Sequence, residues 1–190
     1  MSKMDSPIGV LGTDRLPELP RFYFEAASRL LGASDIDLAP VALPLVNLQR
    51  HCLELVIKEI HLASSCLPAA RLMAKGIWST PDRPPENHHL SELVDALGES
   101  LSAHHLSMPT GLESLAREMD ALSAPAPDAR LPAPQRLPLR EIQTRLESLV
   151  STADIFKEDS LVFRLYAECA TAINSSLDSS DPAFDPEIFT

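Results

Sequence analysis

The stretch from residue 41 to residue 67 constrains the fold more than any other part of this 190-residue chain. Its apolar side chains recur at helical spacing on two faces and leave a single polar stripe between them. A helix that is apolar around most of its circumference must pack against other elements on several sides. The pattern therefore predicts the central helix of a bundle. We expect Pro68 to close or kink this helix. The apolar faces are Leu45, Leu48, Cys52, Leu55 and Leu62, and Val46, Leu53, Val56, Ile57 and Ile60; the stripe is Asn47, Arg50, Glu54, Lys58 and His61.

Five shorter segments also show helical spacing, and Pro- or Gly-containing breaks separate them. The first of these places Phe22 on an apolar face with Ala26 and Leu30. Aromatic residues make up only 5% of the chain, which disfavours a sheet. The sequence therefore predicts an all-α protein, a single bundle of about five to six helices around one long central helix. The shorter segments cover about residues 21–31, 90–106, 110–122, 139–150 and 160–176.

The domain organisation follows from the same breaks. Residues 1–20 are predicted to be an irregular lead-in, and residues 21–177 to form the bundle. Within the bundle, the proline-rich stretch 123–138 is predicted to be a surface loop. Residues 178–190 are predicted to be an acidic, flexible tail.

Charge and cysteine content limit the partners and the compartment. The net charge of −11 disfavours nonspecific binding to nucleic acid, because phosphate affinity comes from clustered Lys and Arg. The N-terminal residues have no apolar signal region, and no run of about 18 apolar residues occurs, so no membrane association is expected. Three cysteines without a Cys-x-x-Cys pair indicate reduced core thiols and a cytoplasmic protein.

Three short motifs, spread over residues 40–166, suggest a family. The first lies on the long helix, the second opens the next helix, and the third lies near the C-terminus. They are Arg50-His51-x-x-Glu54-x-x-x-Lys58, His89-Leu90-x-x-Leu93, and Asp154 with Asp159-Ser160-x-x-Phe163-Arg164-x-Tyr166. In this order the motifs resemble the HEPN superfamily of helical bundles, particularly its HEPN-like branch in prokaryotes. The third motif departs from the family pattern, because Leu165 separates Arg164 from Tyr166 and no proline follows.

The resemblance implies a bundle of four or five helices that often pairs as a dimer. Such proteins occur as ribonuclease toxins, in toxin–antitoxin pairs with small nucleotidyltransferases, and in antiviral defence assemblies. Many HEPN-like members are not catalytic. The nuclease members use an Arg-x(4–6)-His motif, in which Arg and His activate a ribose 2′-hydroxyl across a dimer groove.

Arg83 precedes His88 and His89 at the spacing of that motif, so these three residues are the candidate catalytic set. Pro84 and Pro85 follow the arginine directly and stiffen the segment away from a helix. A surface Arg83 with a helix-capping or buried structural His89 is the competing interpretation, and we prefer it.

The polar stripe also has two interpretations. Arg50, Glu54 and Lys58 are spaced for exposed intrahelical ion pairs, or they meet His89 in a partly buried network that fixes the packing of two helices. Trp78 is a candidate anchor for a partner, although packing beneath a loop is its commoner role. The histidines lack the spacing of a zinc site, so neither a metal nor another cofactor is predicted.

These observations lead to one functional hypothesis and two alternatives. The leading hypothesis is a HEPN-like helical module that acts mainly by protein association in a defence or toxin–antitoxin system and is not catalytic. Its partner would be a second copy of the chain or another protein, such as the product of an adjacent gene. The first alternative is a metal-independent HEPN ribonuclease that binds RNA. The second is a helical structural or adaptor subunit unrelated to HEPN.

Overall fold

The computed structural model describes residues 18–33, 37–77, 79–86, 88–123, 138–154 and 156–178. These residues contain six α-helices and no strand, which confirms the predicted all-α bundle. The predicted loop at 123–138 and the predicted tail at 178–190 lie almost wholly outside the described residues, as does most of the predicted lead-in. The helices are α1 (Leu19–Gly32), α2 (Leu38–Met73), α3 (Leu90–Ala103), α4 (Leu112–Ser123), α5 (Leu139–Ala153) and α6 (Leu161–Asp178).

The long helix α2 is the predicted central helix and extends further than predicted at both ends. It begins after Asp37, whose side chain accepts a hydrogen bond from the Ala39 amide at 3.0 Å and so caps the first turn. Of the two outcomes expected at Pro68, closure of the helix does not occur, since α2 continues through this exposed proline to Met73. The turn that follows Met73 includes Gly76, which has a φ of +74°, and the Ile77 amide donates a hydrogen bond to the Leu72 carbonyl. This is the glycine-terminated arrangement that satisfies the last carbonyls of a helix.

Helices α1, α3, α5 and α6 all pack against α2, so the central helix is covered on most of its circumference. Of its two predicted apolar faces, the face containing Leu53 and Ile57 is fully buried. Leu48, Leu55 and Leu62 on the other face are only partly buried. Phe22 of α1 faces solvent rather than the core, and Ala27 and Leu31 take the core positions of that helix.

Helix α3 ends three residues earlier than predicted, at Ala103. The Leu106 amide donates to the Leu101 carbonyl at 2.9 Å, and His105 between them has a φ of +57°. A non-glycine residue in the left-handed region is strained, and here the strain accompanies closure of the helix end. The turn places the partly buried Leu106 and Met108 against the core.

Ser160 begins the last helix. Its hydroxyl accepts a hydrogen bond from the Phe163 amide at 3.0 Å, which caps α6. This cap orients the apolar face of α6, which includes the buried Val162, Leu165 and Tyr166, towards α2. Within the third motif, Ser160 and Tyr166 are therefore structural, and Arg164 is exposed.

Candidate functional site

The start of α3 is held by a carboxylate from another helix. Asp120 of α4 accepts hydrogen bonds from the Leu90 amide at 3.2 Å, the Ser91 amide at 2.8 Å and the Ser91 hydroxyl at 2.8 Å. His89 occupies the N-cap position but makes no capping hydrogen bond with its side chain. Asp120 therefore performs the capping role that the sequence suggested for His89, and it satisfies amides that would otherwise lack partners.

Arg50 of the central helix joins this cap to α2. Its guanidinium donates to Asp120 Oδ1 at 2.8 Å and to the His88 carbonyl at 2.6 Å. Both side chains of the Arg50–Asp120 pair are 19% exposed, so the pair is partly shielded from solvent. Burial opposes the charged form of Asp120, but hydrogen bonds from Ser91, Leu90 and Arg50 outweigh it and lower the pKa of this carboxyl.

Glu54, one turn further along α2, is the buried acceptor of the site. Its side chain is 5% exposed, and Oε1 lies 2.7 Å from Lys58 Nζ and 2.8 Å from His88 Nδ1. His51 Nδ1 lies 3.6 Å from the other oxygen, and the His51 ring packs edge-on against Tyr23. Burial raises the pKa of Glu54, but Lys58 and His88 more than compensate, so the net effect is a lowered pKa and an ionised carboxylate.

These contacts fix the chemistry that His88 can perform. Because the carboxylate of Glu54 accepts from Nδ1–H, the neutral imidazole presents Nε2 as an acceptor. The His88 side chain is 75% exposed, so Nε2 is open to solvent. A carboxylate-oriented imidazole of this kind can take a proton from a hydroxyl group.

The structure brings together three of the four predicted network residues, Arg50, Glu54 and Lys58. It places His88 with them, while the side chain of His89 is exposed. Arg83 lies exposed in the non-helical stretch 79–86 and forms no ion pair with another described residue. Trp78 lies outside the described residues.

Two residues of the site, Asp120 and Ser91, were not predicted from the sequence. Asp120 and Ser91 are separated from Arg50 by 70 and about 40 positions, and no local pattern connects them. The only hint was that Asp120, like Glu113 and Glu118, is an acidic position on an amphipathic helix, which is common on any surface helix. The contact between α4 and α3 had to be known before Asp120 could be assigned.

A second polar cluster lies on the opposite side of α2 and is structural. Gln49 is fully buried and donates to the Leu139 carbonyl at 2.8 Å and to Gln143 Oε1 at 3.1 Å. Gln143 in turn donates to the Phe24 carbonyl and the Ser28 hydroxyl. These contacts join α1, α2 and α5, and their amides have no acid–base role.

Three comparisons of the chain, with family models, with curated proteins and with solved structures, find no match. Among the described residues, no set of three or more His, Cys, Asp and Glu side chains is arranged to bind a metal ion. No described helix combines the length and the apolar character needed to span a membrane. Functional assignment therefore rests on the geometry of the chain itself.

Proposed function

We propose that this chain is a HEPN-like helical module that acts mainly by protein association, in a defence or toxin–antitoxin setting in the cytoplasm. The observation that carries the proposal is a pair of exposed phenylalanines at one groove. Phe22 of α1 is 59% exposed and Phe156, after α5, is 66% exposed. Both line a groove of about 260 Å³ together with Glu18, Arg21, Glu25 and Asp154.

Two exposed aromatic rings at one groove differ from scattered apolar surface residues. Leu19 lies one turn from Phe22 on α1 and is also exposed, which extends the apolar patch. Large aromatic side chains in contiguous patches with polar rims are typical of protein interfaces. The acidic rim of Glu18, Glu25 and Asp154 favours a partner surface with apolar and basic residues.

The polar site supports the same proposal from another direction. Arg50 and Asp120 satisfy each other and the start of α3, so these charges are used to hold the fold. All three cysteines are free and buried, which agrees with a reducing compartment. Burial also raises the pKa of Cys52 to about 12, so this thiol is unreactive at neutral pH.

Sedimentation of the purified chain, alone and with the product of an adjacent gene, tests the proposal. We expect a dimer or a stable heteromeric complex, and we expect the double variant Phe22→Ser/Phe156→Ser to weaken it at least about tenfold. Leu43→Ser is the matched control, because Leu43 on α2 is comparably exposed at 52% and lies apart from the groove. A monomer under both conditions, or equal weakening by the control, contradicts the proposal.

A second candidate function, a metal-independent ribonuclease, is favoured by the contact between Glu54 and His88. In this hypothesis His88 Nε2 removes the proton of a ribose 2′-hydroxyl, and the 2′-oxygen then attacks the adjacent phosphorus. The bond from phosphorus to the 5′-oxygen breaks, the 5′-oxygen takes up a proton from water, and Arg83 stabilises the charge that develops on the phosphate. Glu54 positions the imidazole and stabilises its protonated form. His88 replaces His89 as the candidate base, because only His88 has the orienting carboxylate.

Incubation with mixed RNA in the presence of EDTA distinguishes the two functions. The leading proposal expects no cleavage above background. Cleavage that falls about a hundredfold or more in His88→Ala and in Arg83→Ala, but persists in the neighbouring control His89→Ala, would establish the ribonuclease instead. Circular dichroism of each variant separates a catalytic loss from a failure to fold.

A further inference from the structure

Glu59 of the central helix is a buried acid that the candidate site does not use. The residue is 5% exposed, and neither carboxyl oxygen has a hydrogen-bond partner among the described residues. A charged carboxylate in such a place loses its hydration without compensation, which is strongly unfavourable. A protonated carboxyl group also lacks partners there but carries no charge, so the fold tolerates it far better.

Among the described residues, the groups around Glu59 add no compensating positive charge. With about 100° between successive residues of a helix, Glu59 shares its face of α2 with Cys52, Ala63 and Cys66. Asp154 at the end of α5 and Tyr166 of α6 both interact electrostatically with Glu59. Asp154 carries a negative charge and therefore opposes a second one at Glu59, and Glu59 in turn opposes ionisation of the Tyr166 hydroxyl.

The other two helices that pack on α2, α1 and α3, bring no described positive charge to Glu59. On the α1 side, the Pro20 carbonyl accepts a hydrogen bond from the Cys52 thiol at 3.3 Å, and Arg21 is paired with Glu25 at 3.3 Å. Glu18 and Glu25 of this region lie with Asp154 around the same groove and add negative charge. Helix α3 contacts α2 through Ser64 and Ser100, and Ser64 lies about 140° around α2 from Glu59.

We propose that Glu59 is a proton-held latch, whose neutral carboxyl group allows α2 to pack against α5 and α6 and whose ionisation loosens that side of the bundle. The α3 side, where Arg50 and Asp120 are paired, stays closed. The latch makes the packing of α6, including the buried Tyr166 and Cys169, depend on pH.

The direction of the pH dependence follows from the environment of the carboxyl. Burial, and secondarily the charge of Asp154, raises the pKa of Glu59 from 4.5 to about 8. Between these values the folded chain holds a proton that the unfolded chain has lost. Stability due to this group is therefore greatest at low pH, falls as pH rises through the window, and levels off above pH 8.

Urea unfolding between pH 5 and pH 9 tests the latch on the full chain. In wild type, ionisation of Glu59 should raise the unfolding equilibrium constant at least about tenfold, and up to about a thousandfold, between pH 5 and pH 9. We expect this rise to be absent from Glu59→Gln. The difference between the two proteins is the relevant quantity, because the titration of His61 and other groups is common to both. Glu147→Gln, at an exposed position of α5, is the control for replacing a carboxyl by an amide and should follow wild type.

Two further measurements keep the test decisive if Glu59→Gln folds poorly. Asp154→Asn leaves Glu59 in place, lowers the pKa of its carboxyl, and should make the chain more stable than wild type at pH 9. Hydrogen exchange, corrected for intrinsic rates, should show α6 losing at least about tenfold of its protection between pH 6 and pH 9 while α3 keeps its protection. Parallel pH profiles for wild type, Glu59→Gln and Asp154→Asn, or equal losses in α3 and α6, would overturn the proposal.

Discussion

Glu54 and Glu59 lie five residues apart on α2 and are both about 5% exposed, but they face different sides of the bundle. On the α3 side Glu54 meets Lys58 and His88, and the pKa of its carboxyl is lowered. On the α5 and α6 side Glu59 has no hydrogen-bond partner among the described residues, and burial, with the charge of Asp154, raises the pKa of its carboxyl to about 8. The comparison shows that burial alone does not fix the state of an acid, because the partners decide which form the fold holds.

The α3 side of the bundle and the α5 and α6 side also differ in the functional groups that they carry. The α3 side carries a charge network that ends in an exposed imidazole, and this makes it the only described place where acid–base chemistry is geometrically prepared. The α5 and α6 side carries a buried carboxyl that has no hydrogen-bond partner among the described residues. The exposed pair Phe22 and Phe156 lies near its edge, around Asp154.

The largest effect is expected in the core that both sides share. Leu53→Ala or Leu93→Ala should lower the free energy of unfolding by about 2–5 kcal/mol, because both leucines are fully buried. Leu55→Ala is the control and should cost distinctly less, since Leu55 is only partly buried. Urea titrations measure all three, and a Leu53 variant no less stable than the Leu55 variant would contradict the assignment of the inner face.

A smaller loss is expected from breaking the charge network on the α3 side. Arg50→Met should cost about 1–3 kcal/mol, because Asp120 and the His88 carbonyl lose a charged donor in a partly buried place. A double-mutant cycle with Asp120→Asn isolates the pair and should give a coupling of about 1 kcal/mol or more. Arg117→Met, which removes the exposed ion pairs of Arg117 with Asp95 and Glu113, should change little. Additive effects of the two substitutions would show that the pair contributes no coupling.

The dependence of stability on pH below neutrality distinguishes Glu54 from Glu59. The lowered pKa of Glu54 means that its stabilisation is present above pH 4.5 and is lost as pH falls through the lowered value. Glu54→Gln should therefore cost about 1–2 kcal/mol at pH 7 and progressively less towards pH 3. Unfolding free energies of the two proteins at both ends of this range provide the measurement. A difference that stays constant or grows in acid is incompatible with an ionised, partnered Glu54.

The smallest effect is expected at Lys58. Its replacement by Met leaves His88 as a donor to Glu54, and the ammonium is partly exposed, so the loss should be about 0.5–1 kcal/mol. Added salt should reduce the difference from wild type, because it screens the Lys58–Glu54 attraction. Thermal melts of wild type and Lys58→Met in low and high salt measure this difference in stability. A loss of unfolding free energy above about 2 kcal/mol would mean that His88 contributes little to holding Glu54.

Much of the fold could be predicted from periodicity, because residues 41–67 are apolar around most of the helix and demand cover on several sides. The helix ends were harder to predict, since the run of α2 through Pro68 depends on surrounding helices rather than on local propensity. The choice between His88 and His89 was also beyond the sequence, because two adjacent residues differ only in the direction that the backbone gives them. Long-range partners such as Asp120 leave no trace in local spacing.

Glu59 is different, because a signal for it was present in the sequence. Its neighbours at the same helical face are Cys52, Val56, Ala63 and Cys66, so an acid stands alone in an apolar row. Such a position is typical of a buried residue, but the spacing does not indicate what surrounds the carboxyl. That no described donor from α5 or α6 reaches the carboxyl is a property of the tertiary structure.

Carboxyl carbon NMR of the folded chain tests the contrast between the two sides of α2 most directly, with Glu54→Gln and Glu59→Gln used to assign the two signals. The carboxyl of Glu59 should titrate near pH 8, and that of Glu54 should titrate below pH 4.5. Titration of Glu59 at or below pH 4.5 in the folded protein would contradict this contrast, and with it the different roles of the two sides of the central helix.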